Sequence, residues 1–108
     1  MSISDERMER ALRYLAETDE LVAEAKTQVA RCEYLSKQVR ARVFLTATGD
    51  TVRERECMAE TSQEVSEVDG ELAKAILAYE KLRAKRTTEE LVTECWRSIN
   101  ANRRQGHA

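Results

Sequence analysis

Apolar residues recur along the first half of the chain at intervals of three and four residues. One seven-residue series is Met8, Leu15, Val22, Val29, Ser36 and Val43, and an interleaved series is Ala11, Thr18, Ala25, Cys32 and Val39. A period near 3.5 residues predicts one long helix with a single apolar stripe. Ser2 or Ser4 can cap the start of this helix. Gly49 is its natural end, so we expect a helix over about residues 4 to 46.

A second helix start follows Gly49. Thr51 and Glu54 have the spacing of a capping box, in which the hydroxyl and the carboxylate each satisfy a free backbone amide. The box predicts a short helix over about residues 52 to 61. Apolar residues then resume the helical spacing at Val65, Val68, Leu72, Ala75, Tyr79, Leu82, Val92, Trp96 and Ile99. This series predicts a second long helix over about residues 63 to 104, with Gly70 and Thr87-Thr88 as points where it could kink or break.

The distribution of charge predicts how the two long helices lie. Residues 1–24 carry seven acidic and three basic residues, net -4, whereas residues 81–108 carry three acidic and seven basic residues, net +4. Residues 31–42 have a net charge of +3 and residues 60–71 a net charge of -5. An antiparallel hairpin places each of these blocks beside its opposite, and a parallel pair would place like charges together. We therefore predict an antiparallel hairpin.

Composition supports an all-α, coiled-coil-like hairpin that forms a single domain over residues 1–108. The chain has 35% charged residues, 5% aromatic residues, no proline and three glycines, which leaves a thin core and few residues that end helices. Several apolar residues fall beside the main stripes, namely Leu12, Tyr14, Leu21, Leu35, Phe44, Ile76, Leu77 and Leu91. Because two helices bury only one stripe each, we expect a homodimer with a four-helix arrangement, with the short helix over one end.

The end of the chain is the predicted contact surface. "ECWRSINANRR" combines the only tryptophan with a basic tail, and the predicted protein-binding residues are Trp96, Arg97, Asn100, Arg103 and Arg104. The turn from Gly49 to Arg55 is a second, weaker candidate. An alternative is nucleic-acid binding through Arg83, Lys85, Arg86, Arg103 and Arg104, which could follow a phosphate backbone along one helix. The net charge of -2 and the opposing acidic block favour protein binding.

Enzymatic, metal-binding and membrane functions have little support in the sequence. The three cysteines stand far apart without a C-x-x-C pair, and the only histidine, His107, is the penultimate residue, so we expect no metal and no cofactor. Motifs for nucleophilic catalysis or phosphate cradling are absent from the sequence, and we expect no enzyme. Without a membrane-length apolar run or a signal segment, the expected location is the cytoplasm.

Two stretches resemble a known family. "VRARVFLTATGDTVRERECMAETSQEV" and "YEKLRAKRTTEELVTECWRSINANRRQG" are similar, in order and content, to small helical proteins encoded by tailed bacteriophages and prophages. The resemblance covers most of the chain. It implies a location in the infected or lysogenic bacterial cell, among phage replication and recombination genes, and an accessory role without catalytic residues. The resulting prediction is a protein that binds a component of replication or recombination, or that inhibits a host defence or nuclease enzyme.

Overall fold

The structure of the chain, a computed structural model, describes residues 2–106, and the single histidine, His107, lies outside this range. Three helices follow one another, α1 (Asp5–Thr46), α2 (Val52–Glu60) and α3 (Gln63–Gly106). The long helices α1 and α3 pack against each other with α2 between them in sequence, and the described residues contain no strand. The prediction of an all-α helical hairpin is confirmed.

Contacts divide the chain into two compact units. The terminal unit comprises Met1–Ala23 and Glu80–Ala108, of which the structure describes residues 2–23 and 80–106, and the middle unit comprises Glu24–Tyr79. Each unit contains a stretch of α1 and a stretch of α3, and α2 belongs to the middle unit. The C-terminal end of α3 therefore belongs to the terminal unit, and the turn around Gly49 belongs to the middle unit.

The buried face of each long helix follows the predicted spacing. Every position of the two series on α1 is buried or half-buried, and so is every apolar position predicted on α3. The side chains in this seam between α1 and α3 are small, since its buried apolar residues are Ala11, Cys32, Val39 and Val65, and the other buried apolar residue, Ala59, lies on α2. Val65, with 1% exposure, is the largest fully buried side chain among the described residues. The core is as thin as the composition predicts.

Local capping explains where the helices begin. Ser4 Oγ accepts a hydrogen bond from the backbone amide of Arg7 at 3.1 Å, so Ser4 caps α1. Thr51 Oγ1 accepts from the amide of Glu54 at 3.1 Å, as the capping box predicts. The Glu54 carboxylate accepts from the amide of Asp50 at 2.8 Å, one residue before the amide of an ideal box. Ser62 Oγ accepts from the amide of Val65 at 3.1 Å and starts α3.

Helix α3 is continuous through both positions at which it could break. Gly70 lies within the helix, and so do Thr87 and Thr88. The Thr87 and Thr88 hydroxyls donate to backbone carbonyl oxygens one turn earlier, at 3.0 Å and 3.2 Å, instead of capping a new helix. A β-carbon added to Gly70 would meet no atom outside its own stretch of helix within 4 Å. Gly70 thus lies within the length of α3 on its exposed side, and no other described helix approaches it closely.

Opposite charges meet across the middle unit in the predicted antiparallel sense. Arg40 pairs with Glu60 and Asp69, and Arg42 pairs with Glu64. The Ser36 hydroxyl donates to Asp69 Oδ1 at 2.8 Å. These pairs join the basic block of residues 31–42 to the acidic block of residues 60–71. Because they are solvent-accessible, each ion pair contributes less than about 1 kcal/mol, and their main effect is to select direction and register.

We predict that Gly70→Ala stabilises the chain. The substitution removes backbone freedom from the unfolded state and adds no clash, so the free energy of unfolding should rise by about 0.5–1 kcal/mol in urea denaturation followed by circular dichroism. Gly49→Ala is the opposite control, because its β-carbon would lie 2.7 Å from Glu54 Cβ and 3.2 Å from the Arg55 amide nitrogen. Equal effects of the two substitutions would contradict this account.

Candidate functional site

The last turns of α3, which we call the C-terminal arm (residues 96–106), contain the predicted protein-binding residues. Trp96 is half-buried, and its indole Nε1 donates a hydrogen bond to Asp5 Oδ1 at 3.1 Å. Asp5 lies in the first turn of α1, where a carboxylate also interacts favourably with the helix dipole. Trp96 therefore packs at the start of α1 within the terminal unit.

Four of the five predicted protein-binding residues lie together. Trp96, Asn100, Arg103 and Arg104 line one open groove with Asp5. Their spacing of four, three and one residues places them on one face of α3. Arg97 is exposed and does not line this groove. Arg103 also borders a second groove, formed with residues 2–5, Arg7 and Arg10.

The arm carries positive charge that the rest of the described chain leaves unneutralised. Arg97, Arg103 and Arg104 are exposed and form no ion pair with any residue in the range 2–106. Asp5 is the one acidic residue in the Trp96 groove, and it accepts the indole hydrogen bond. A guanidinium carries five donors suited to carboxylate or phosphate oxygens. The groove thus offers two free guanidinium groups beside a half-buried aromatic ring, a combination that fits an acidic partner.

Polar side chains of α1 and α3 meet in the terminal unit, in the part of α3 that precedes the arm. We call this set the polar seam (Arg7, Thr18, Asp19, Arg86 and Glu89). On α3 the buried spacing runs from Leu82 through Arg86 and Glu89 to Thr93 and Trp96. The apolar series on α3 has a gap between Leu82 and Val92, and Arg86 and Glu89 take the inward positions within this gap. Polar contacts replace apolar packing over these turns of the terminal unit.

Arg86 turns inward in the polar seam. Its side chain is 14% exposed, and Nη1 donates to the backbone oxygen of Leu15 at 2.8 Å and also to Thr18 Oγ1. Nη2 pairs with Asp19 Oδ1 at 2.6 Å. Because a residue of α3 bonds here to the backbone and side chains of α1, Arg86 fixes how the two helices are aligned within the terminal unit.

Arg7 and Glu89 form the second contact of the polar seam. Arg7 Nη2 donates to Glu89 Oε1 at 3.0 Å, and Nη1 lies 2.7 Å from Oε2. The hydrogen bond from Arg7, opposed by burial and supported by the positive charges of Arg7, Lys85 and Arg10, holds the pKa of Glu89 below its ordinary value. The same hydrogen bond raises the pKa of Arg7. Glu89 is buried as a carboxylate with its own counter-charge.

The five predicted nucleic-acid contacts fall into two groups. Arg83 pairs with Glu80 at 3.3 Å, Lys85 Nζ lies 4.7 Å from the centre of the Tyr14 ring, and Arg86 belongs to the polar seam. Arg103 and Arg104 form neither an ion pair nor a ring contact with another described residue. Three of the five cations are thus occupied within the terminal unit, and the free charge is concentrated in the C-terminal arm.

The turn from Gly49 to Arg55, the second predicted contact surface, is held by its own contacts. Arg55 Nε donates to the Gly49 carbonyl oxygen at 2.9 Å, and Thr51 and Glu54 are engaged in capping. Gly49 has no left-handed backbone conformation, and glycine is required because Glu54 packs directly against it. Arg53 is exposed and makes no ion pair with other described residues.

Residues 2–106 include all three cysteines of the chain. Cys32 is buried, Cys57 and Cys95 are exposed, and all three are free thiols. Within this range no group of three or more His, Cys, Asp or Glu side chains is arranged to hold a metal ion. None of the described helices combines the length and apolar character that a bilayer span requires.

Comparison with protein families, with curated proteins and with solved structures gave no match to this chain.

We predict that Arg86 acts in packing, in contrast to its neighbour Arg83. Arg86→Ala removes inward hydrogen bonds from a charged donor and should lower the free energy of unfolding by about 1–3 kcal/mol. Arg83→Ala removes only an exposed pair one turn apart and should cost less than about 0.5 kcal/mol. Urea denaturation of both variants measures the difference, and equal losses of stability would contradict the assignment.

Proposed function

We propose that this chain is a non-enzymatic helical protein that acts by binding an acidic surface of a partner protein through its C-terminal arm. The observation that carries the proposal is the groove of Trp96, Asn100, Arg103 and Arg104, in which two guanidinium groups remain free of ion pairs with other described residues. An aromatic ring and an arginine side by side are the residue types that contribute most to protein interfaces.

The distribution of charge in the terminal unit supports the choice of partner. Arg7 and Arg86 are committed to the polar seam, and their acidic partners are on the opposite helix. The arm lies beyond these pairs along α3 and lacks such a partner among the described residues. A carboxylate-rich protein surface would pair with the arm bidentately through its guanidinium groups.

The biological setting that we propose is that of a phage-derived protein in the cytoplasm of an infected or lysogenic bacterium. In this setting the partner belongs to phage DNA replication or recombination, or is a host defence or nuclease enzyme that the chain inhibits. The support is the similarity of residues 39–65 and 79–106 to small helical phage and prophage proteins. We also propose that the chain forms a homodimer, which is supported by the exposed apolar side chains beside the main seam.

The second candidate function is DNA binding as an accessory protein. The free guanidinium groups of Arg103 and Arg104 favour it, because phosphate oxygens suit them as well as carboxylates do. Against it, Arg83, Lys85 and Arg86 are engaged within the terminal unit, and Trp96 alone would supply base stacking. Two free arginines provide few phosphate contacts, so protein binding is the preferred function.

We predict that reversing the arm charges abolishes partner capture. In a pull-down from bacterial lysate, a protein retained by the wild-type chain should be lost with Arg103→Glu/Arg104→Glu. Arg31→Glu/Lys37→Glu is the matched control, since it makes the same charge change at two exposed basic residues without ion pairs to described residues. This control should retain the partner.

A salt titration with labelled duplex and single-stranded DNA separates the two functions. Fluorescence anisotropy should show weak binding that differs little between the arm variant and the matched control. Tight, steeply salt-dependent binding that only the arm variant loses would overturn the protein-binding proposal in favour of DNA binding.

A further inference from the structure

Exposed large apolar side chains are concentrated in the middle unit. Seven of the ten lie there, namely Tyr34, Leu35, Leu45, Val52, Met58, Ile76 and Leu77, and three lie in the terminal unit, namely Leu12, Leu21 and Leu91. Leu45 is the most exposed of all, at 78%. The middle unit, which does not contain the C-terminal arm, therefore has the larger apolar surface to cover.

Part of this surface forms a second stripe on α1, which we call the outer stripe (Leu35, Gln38, Arg42 and Leu45). These residues are spaced by three, four and three positions, so they share one helical face, and they line one open groove. The seam residues Ser36 and Val39 are buried, whereas all four residues of the outer stripe are exposed. The outer stripe thus lies beside the seam on α1, and the two adjoin at Val39, which also lines the groove.

The outer stripe continues toward α2. A neighbouring groove shares Ala41 and Leu45 with the first and is also lined by Phe44 and Ala59. Ala41 presents only a methyl group, which permits close approach of another helix. Arg40, Glu56 and Glu60 are the charged residues that line this neighbouring groove.

We propose that a second copy of this chain docks on the outer stripe, with its α1 antiparallel to the first and Leu35 of each copy level with Leu45 of the other. This interface rests on the proposed homodimer and assigns its surface. The sequence is self-complementary in this register, because a two-fold axis at position 40 also brings Gln38 level with Arg42. Leucine meets leucine at both ends, and an amide oxygen meets a guanidinium on each side of the axis.

Charge selects the antiparallel direction. A parallel pair would set Arg42 against Arg42, whereas the antiparallel pair sets it against an uncharged amide. Arg42 Nη2 is engaged by Glu64 of its own chain, and the remaining guanidinium nitrogens have no hydrogen bond to other described residues. Arg40, which lines the neighbouring groove, pairs with Glu60 and Asp69. Arg42 is thus the charged side chain of the outer stripe whose position distinguishes the two directions.

The outer stripe is a small surface. Four side chains on three turns of helix cover less than the roughly 800 Å² per partner of a standard interface, even with Phe44 and Ala59 added. We therefore expect a reversible dimer, with monomer and dimer both present over the concentration range of the measurement below.

Sedimentation equilibrium over a range of concentrations tests the surface. The average mass of the wild-type chain should rise from 12.4 kDa toward twice that value. Leu45→Glu should weaken association at least about tenfold, because it buries a carboxylate against leucine. Leu91→Glu is the matched control, since Leu91 is also exposed, at 55%, but lies in the terminal unit. Circular dichroism should show unchanged helical content in both variants.

Substitutions at Gln38 test whether the two α1 helices of the dimer run antiparallel or parallel. In the antiparallel pair Gln38→Glu faces Arg42 and should tighten the dimer several-fold, whereas Gln38→Lys should weaken it. In a parallel pair both substitutions would weaken the dimer alike, since position 38 would face itself, and that result would overturn the proposed arrangement.

A dimer that survives Leu45→Glu would show that the chain self-associates through another surface and would overturn the outer stripe as the interface. A wild-type chain that stays monomeric would overturn both the interface and the proposed homodimer. Neither outcome bears on the C-terminal arm, which the pull-down tests separately.

Discussion

The packing of α1 against α3 is the interaction on which every other feature of this chain depends. The side chains that meet there are small, and the largest fully buried one in residues 2–106 is Val65. A seam of this kind gains modest hydrophobic free energy and allows neighbouring registers of similar energy. Directional contacts resolve the ambiguity, through Arg86 and Arg7 in the terminal unit and through Ser36 and Arg40 in the middle unit.

Those directional contacts also determine which charges remain available for a partner. Arginines at the seam donate to the opposite helix, so their charge is cancelled within the unit that contains them. Arg103 and Arg104 lie past the last such contact and keep their charge. The same contacts thus stabilise the hairpin and leave Arg103 and Arg104 without an ion pair to another described residue. The outer stripe has a similar origin, since a single seam on α1 cannot bury Leu35 and Leu45.

The sequence was sufficient to predict the helices, the seam of α1 and the antiparallel direction, because spacing and charge blocks are periodic signals carried by many residues. It was insufficient for Arg86 and Glu89, since a search for apolar periodicity passes over charged residues. Their positions, four and seven residues after Leu82, continue the spacing to Trp96 and were the available signal. Arg97 lies seven residues before Arg104, so spacing alone places the two near one face, and only the structure shows that Arg97 does not line the Trp96 groove. The pairing of Trp96 with Asp5 required coordinates, because it depends on where the two helix ends meet.

Exchange of the Arg7 and Glu89 charges tests the alignment of the seam most directly. Arg7→Glu and Glu89→Arg would each place like charges together in the terminal unit, and each alone should lower the thermal midpoint of unfolding. The double variant restores an opposite pair at the same place and should recover most of that loss, with the helical content of the wild-type chain. Additive losses in the double variant would show that Arg7 and Glu89 do not meet, and would contradict the antiparallel register from which the arm and its free charge follow.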